Sequence, residues 1–316
     1  MRSRHRVDRA SSADPVRREG CVYAMGTLYR VVAYGADVEP LESAVAEALT
    51  EAERLDRMLS NYRPESELSQ LNQVAAHHDV RASDELFELL SVSFACSRES
   101  EGTFDITVGP LTKAWGFYKD TGHYPHPTEL QQALDKVGYW QVLLDPQHRT
   151  VRFARHGVEL DPGGIGKGYA VDKMALLLGK RGVDAALISA GGSTIYGLGA
   201  PPNKPGWAVS IRDPRNPSQS AATVTLKDQS LSTSGNYEKF FWAEGRIWSH
   251  IVDPRTGYPT TGTLSVSVIA PRTIDSEIWA KPYYIMGRDW TEKHKSKTFR
   301  VLYCEERSNP PCAWLE

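Results

Sequence analysis

Residues 161–172 read DPGGIGKGYAVD, with glycines at 163, 164, 166 and 168 and a lysine at 167, placed ahead of an apolar stretch of helical period. A glycine-rich turn that opens a helix offers bare backbone N–H groups and the positive end of the helix dipole, a combination that suits an anion. Its spacing excludes two familiar phosphate cradles. The nucleotide P-loop needs a glycine five residues before the Gly-Lys pair and Ser or Thr after it, but Asp161 and Gly168 stand there. The dinucleotide fingerprint lacks its third glycine at the required distance, because glycines at 164, 166 and 168 give Gly-x-Gly-x-Gly. With both gone, the doubly wound α/β classes lose their signature, and the segment stands as either an anion-binding turn or a plain tight turn.

The flanking sequence supports an α+β chain. TLYRVVAYG (27–35) is rich in β-branched and aromatic residues and predicts a strand. From Pro40 to Ser60, Leu41, Val45, Leu49, Ala52, Leu55 and Leu59 recur at threes and fours, the mark of an amphipathic helix. Ser83 followed by Asp84 and Glu85 suits a second helix start, with Leu86, Leu89, Leu90 and Phe94 on its apolar face. Strands are predicted at WQVLLD, TVRFA, DAALISA, WAVSI, ATVTL, LSVSVIA and FRVLYCE, and a third helix over 167–181 stopped by Gly182. Strands in runs with a few long helices, and no strict alternation, favour α+β over a doubly wound sheet.

Bulk properties narrow the function classes. The 316 residues carry 37 Lys+Arg against 39 Asp+Glu, a formal charge of −2, so no electrostatic drive toward nucleic acid is present. Cys21, Cys96, Cys304 and Cys312 lack zinc or disulfide-framework spacing and read as buried or surface thiols. The first twenty residues hold several arginines and no apolar run, so neither a secretory signal nor a transmembrane segment is written there. Cys21 lacks the apolar run a lipid-modified cysteine requires. A misassigned start codon would have removed a real signal, and the compartment stays open. The expected organisation is a disordered charged tail over 1–22, a single domain over 23–306, and a short tail over 307–316.

Three further stretches hold candidate chemistry. In GTFDITVGPLTKAWGF (102–117), Asp105 sits in a turn where it either bonds its own backbone or faces a ligand. In LSTSGNYEKFF (231–241), hydroxyls flanking a glycine either donate to a phosphate or bond the turn. In WSHIVDPRTGYP (248–259), His250 is either structural or a base beside a phosphoryl acceptor. The chain offers no Gly-x-Ser-x-Gly elbow, and its histidines lack zinc-hydrolase pairing.

Taken in order, MGT (25–27), SNYRPESELSQLN (60–72), GTFDITVGPLTKAWGF, DPGGIGKGYAVD, the Gly191-Gly192 turn, STSGNYEKFF and HIVDPRTGYP resemble the ApbE-like FAD:protein FMN transferases over residues 25 to 270. That resemblance implies an α+β fold of mixed or antiparallel sheets with packed helices. It also implies FAD as donor, Mg2+ as cofactor, and transfer of the FMN half to a Thr or Ser of an acceptor protein with release of AMP. Carried over by motif, Met25, Tyr62, Thr103, Phe104, Asp105, Lys167, Lys173 and Ile251 are the expected FAD contacts. His250 is the expected base, and the Ala170 carbonyl and Asp275 are expected magnesium ligands. Family members are often exported.

The sequence departs from the family near its carboxyl end. Where the pattern has Asp-Ala-Leu-Ala-Thr-Ala, this chain has DSEIWAKPYYIMG (275–287), and Trp279 or Ala280 replaces the Thr ligand. Glu277 is a substitute oxygen ligand; Lys281 is an alternative that places an ammonium there instead. Pro282 is expected to break the helix. GGSTI (191–195) also lacks the acidic or amide residue usual after the two glycines. Hydrolysis of FAD to FMN and AMP, and flavin carriage without turnover, are therefore the rival readings.

Overall fold

The computed structural model of the chain describes residues 14–119 and 121–316. Eight strands form one sheet: β1 (Val16–Ala24), β2 (Thr27–Gly35), β3 (Ala185–Ala190), β4 (Thr194–Leu198), β5 (Gln229–Gly235), β6 (Thr263–Ala270), β7 (Arg300–Glu305) and β8 (Cys312–Leu315). They lie side by side in chain order, and every neighbouring pair is antiparallel. This is the expected α+β arrangement. Two glycine turns set the hairpins. Met25 (φ 49°) and Gly26 (φ 71°) form the two-residue link between β1 and β2, while Gly191 (φ 61°) and Gly192 (φ 73°) lead from β3 toward β4. Positive φ at both central residues matches the right-handed twist of the strands that such a turn joins.

Alternation along β6 and β7 divides the core. Val266, Val268, Val301 and Tyr303 face the helices. Ile269, Leu302 and Cys304 face a separate hairpin (Trp207–Arg212 with Ser220–Leu226) that caps the opposite side. On the helical face lie α1 (Val38–Leu59), α2 (Asp84–Glu99), α3 (Gly166–Lys180) and α4 (Thr273–Met286). The predicted apolar face of α1 is buried. Ser83 caps α2 by accepting from the Leu86 amide at 3.2 Å. Helix α1 packs on β1, β2 and α3, whereas α4 packs on β5, β6 and α3.

Five expectations are corrected. The charged tail ends earlier than predicted, because Val16–Ala24 is an edge strand whose inward positions alternate with exposed Arg17, Glu19, Cys21 and Tyr23; residues 1–13 lie outside the described residues. The segment 307–316 is not a free tail, since β8 pairs with β7 and Cys312 is disulfide-bonded to Cys304 directly opposite. That bond also replaces the free-thiol reading for those two cysteines. LSTSG is the end of β5 rather than a turn: Ser232, like Ser230 just before it, reaches the Ser276 Oγ of α4, and Thr233 reaches Ser267. Finally, α4 continues through Pro282. Burial of Ile278, Ala280, Tyr283 and Tyr284 on both sides of the proline holds the helix together despite its missing N–H donor.

A close helix contact is made by Gly168. A Cβ there would stand 2.7 Å from the Thr273 carbonyl oxygen and 2.9 Å from the Glu277 carboxylate, so only glycine lets the start of α3 lie against the start of α4. Gly168→Ala is expected to destabilise the protein by about 1–3 kcal/mol, as overpacking does. Urea unfolding with an unchanged midpoint would show that the two helices separate without cost.

Candidate active site

The glycine turn gathers side chains from four parts of the chain. Asp161 starts it, accepting from the Gly163 amide at 2.8 Å. The chain then makes a short 3-10 turn over Pro162–Gly164 and enters α3 at Gly166. Bare glycines let neighbours close in: at Gly164 a Cβ would lie 3.0 Å from the Phe104 ring and 3.2 Å from the Lys281 stem, and at Gly166 it would touch the Met25 sulfur at 3.7 Å. Met25 is fixed by its hairpin position and by Asp56, which accepts from its amide at 2.8 Å. Phe104 is buried, and its amide donates to the Ser100 hydroxyl.

Helix α4 supplies the charge. Glu277, 2% exposed, accepts from the Gly168 amide through one carboxylate oxygen. Its other oxygen is 2.7 Å from the Lys167 Nζ. One turn later, the Lys281 ammonium donates to the Gly164 carbonyl at 3.1 Å and to the Glu277 carbonyl at 3.3 Å. Burial alone would push the Glu277 carboxyl upward, but Lys167 and Lys281 outweigh it and hold Glu277 below the usual range, ionised. Burial draws Lys281 down to about 8, opposed by Glu277 and reinforced by Lys167. The pocket thus contains two ammoniums and one carboxylate.

His250 follows the strand Arg246–Ser249. Its Nδ1 is 3.1 Å from the Lys239 carbonyl, and its backbone N–H donates to the same oxygen at 3.0 Å. A carbonyl only accepts, so Nδ1 carries the ring proton and Nε2 carries the lone pair. Burial drives the imidazole down to about 4, against the Lys239 hydrogen bond and with the help of the positive charges of Lys281 and Lys167. A neutral ring with a free Nε2 lone pair, within the field of two lysines, is suited to take a proton beside an anion.

The other predicted residues divide. Tyr62 is exposed and stacks on Tyr118, with ring centroids 4.5 Å apart and planes 16° off parallel. Tyr118, which the sequence reading missed, is tied back to the Asn61 carbonyl at 2.8 Å. Thr103 is buried and donates to the Ser100 carbonyl. Asp105 follows the Asx-turn alternative: one oxygen accepts from the Thr107 amide and hydroxyl, the other from the Tyr139 amide. Ile251 packs its side chain into the core beside Ala280, Tyr283 and Tyr284. Lys173 points elsewhere, 3.4 Å from Glu85 of α2 and over the Tyr169 ring.

Asp275, the expected side-chain ligand for magnesium, is committed to an ion pair. Both oxygens of Asp275 are engaged by the Arg272 guanidinium at 2.6 and 2.7 Å. Ala170 is fully buried inside α3. Trp279 stacks on Tyr283, and Ala280 lies in the core. Asp172, another missed residue, caps α4 by accepting from the Thr273 and Ile274 amides at 2.7 and 2.9 Å. Among the described residues no group of three or more His, Cys, Asp or Glu side chains is placed to hold a metal ion. These residues do not fit a magnesium cage. The sequence signal for what stands there instead was the Glu277/Lys281 spacing of four on one helix.

The fold is α+β, and two lysines stand at a glycine turn that has neither the P-loop nor the dinucleotide spacing. The chain belongs to the ApbE family, whose model matches residues 25–301. It is 34% identical over 279 residues to the FAD:protein FMN transferase of Treponema pallidum (strain Nichols), covering 83% of this chain and 77% of that protein. It is 33% identical over 268 residues to one from Klebsiella pneumoniae (strain 342), covering 83% and 80%. Among solved structures it resembles the ApbE protein of Thermotoga maritima, with TM-score 0.85 and 28% identity over 92% of this chain and 95% of that one. The apo flavinyl transferase ApbE of Pseudomonas stutzeri shares the fold, with TM-score 0.83 at 24% identity over 95% and 94%.

The depressed His250 has a consequence for stability. Its ordinary value is 6.5 and its folded value about 4, so between these the unfolded chain binds a proton that the folded chain refuses. Stability is complete above the ordinary value and is lost as pH falls toward the folded one, by about 3 kcal/mol from this group. His250→Asn is therefore expected to lose less stability than the parent between neutral pH and pH 4. Equal losses in urea titrations at the two pH values would contradict the assigned environment.

Proposed function

We propose that this chain is an FAD:protein FMN transferase, moving FMN from FAD to a Thr or Ser hydroxyl of an acceptor protein with release of AMP. The observation that carries the reading is the neutral His250, its Nδ1 held by the Lys239 carbonyl and its ring within the electrostatic reach of Lys281 and Lys167 at the glycine turn. Membership of the ApbE family and likeness to the named transferases support the donor and the reaction class.

In this reading the pyrophosphate of FAD sits against the turn and the two ammoniums, with Phe104 and Met25 bounding the pocket. The acceptor hydroxyl gives its proton to His250 Nε2 as its oxygen bonds the phosphorus that bears riboflavin. The bridging P–O bond breaks, and AMP leaves with the bridging oxygen and its electron pair. The imidazolium, disfavoured by burial and by the charges of Lys281 and Lys167, then returns its proton to the departing phosphate or to water. Phosphoryl transfer depends chiefly on such positioning and charge neutralisation.

Incubation with FAD and an acceptor protein carrying an exposed Thr, followed by intact mass measurement, tests the reading. A gain of one FMN is expected, and His250→Gln is expected to slow it by about 10²–10⁴-fold, the usual range for a lost general base, with FAD affinity little changed. Free FMN and AMP with an unmodified acceptor would make water the acceptor. Intact, tightly held FAD would make the protein a carrier.

A further inference from the structure

We propose that Lys281, together with Lys167, is the cationic device of this active site, and that FMN transfer by the chain requires no divalent metal. This rests on the transferase reading above and specifies how its pyrophosphate charge is met. The first ground is the commitment of the carboxylates at the start of α4 and in the turn at 105. Asp275 is clamped by Arg272 through both oxygens. Asp172 caps α4 with both of its oxygens, and Asp105 is spent on Thr107 and Tyr139. Glu277 is divided between Lys167 and the Gly168 amide. A divalent cation drawing on these carboxylates would compete with an ion pair, a helix cap or a turn.

The second ground is what the ammoniums have left to give. Lysine Nζ bears three hydrogens. On Lys281 two go to the Gly164 and Glu277 carbonyls, both neutral acceptors, so one hydrogen and the whole positive charge remain for a ligand. On Lys167 one hydrogen goes to Glu277 and two remain. The two carbonyls anchor Lys281 without neutralising it. Two lysines against one carboxylate leave the pocket one charge positive, to which the amino-terminal end of α3 adds roughly half a charge. A pyrophosphate diester, with one negative charge on each phosphoryl group, complements this surplus. The surplus also repels a metal ion.

The third ground is rigidity. Lys281 is held across the glycine turn from a helix that is itself locked to α3 at Gly168, so its charge is preorganised rather than recruited on binding. In the transfer step it neutralises the non-bridging oxygens as the acceptor oxygen bonds and the AMP phosphate departs. It neither gains nor loses a proton in that step.

The test uses the full chain, FAD and the acceptor protein, in excess EDTA and, separately, in millimolar Mg2+. Transfer rates within about threefold of each other are expected, against the far larger loss that follows removal of a catalytic metal. Lys281→Met is expected to lower transfer by about 10²-fold, the scale of one preorganised charge, with no rescue by Mg2+. Lys281→Arg should retain part of the rate, and thermal unfolding of both variants separates misfolding from loss of the charge. Calorimetric titration with FAD supplies a readout independent of turnover: affinity should be insensitive to EDTA and weakened by Lys281→Met. Abolition of transfer by EDTA with recovery on adding Mg2+ would overturn the proposal, as would FAD binding that needs Mg2+ or is indifferent to Lys281→Met. If the parent protein modifies no acceptor under either condition, the transferase reading fails, and the calorimetric result still decides whether Lys281 or a metal meets the pyrophosphate.

Discussion

The contact on which the site depends is the one between the starts of α3 and α4, where Gly168 has no side chain and Glu277 fills the space beside its amide. That approach brings a carboxylate under Lys167 and carries Lys281 to the Gly164 carbonyl one turn later. Asp172 strengthens the same junction from the α3 side by capping α4. Ser230 and Ser232 tie α4 to β5 through Ser276. Each is a short polar contact, and together they tie the start of α4 to α3 and to β5.

Much of this was legible in the sequence where burial is one-sided. The apolar periods of α1 and α2 and the β-branched runs of β2, β3 and β6 gave elements close to the observed ones, because each buries a face that only one period can supply. β1 was missed because an edge strand needs few apolar side chains, and VRREGCVYA shows mostly charge. β8 was missed because it is four residues long and held in part by a disulfide across an eight-residue separation. Proline at 282 read as a breaker, yet tertiary packing on both sides overrode the local penalty.

The candidate site was legible to a different degree. The glycine turn, Met25, Phe104, Lys167 and His250 were found as motifs and converge. Lys173 lies on α3 as expected, but its side chain turns to the acidic Glu85 on α2, a long-range partner that no local spacing discloses. Asp105 took the bland alternative, since its three donors all come from its own turn and from Tyr139. Tyr118 escaped notice because stacking with Tyr62 is a tertiary event between residues 56 positions apart.

The departure at 275–287 is where sequence and structure inform each other most. A divalent ion and an ammonium can both lower the charge of a pyrophosphate, but they impose different neighbours: the ion needs several anionic or carbonyl oxygens, whereas the ammonium needs anchors that leave its charge intact. The chain supplies the second set. The Gly164 and Glu277 carbonyls hold Lys281, and the Glu277 carboxylate is shared between Lys167 and a backbone amide. The same positive surplus acts on His250, helping burial to keep it neutral while the Lys239 carbonyl keeps Nε2 free. In the proposed reaction the lysine charges that would meet the pyrophosphate thus also add to the burial that keeps His250 neutral, so a substitution of Lys281 would act on both.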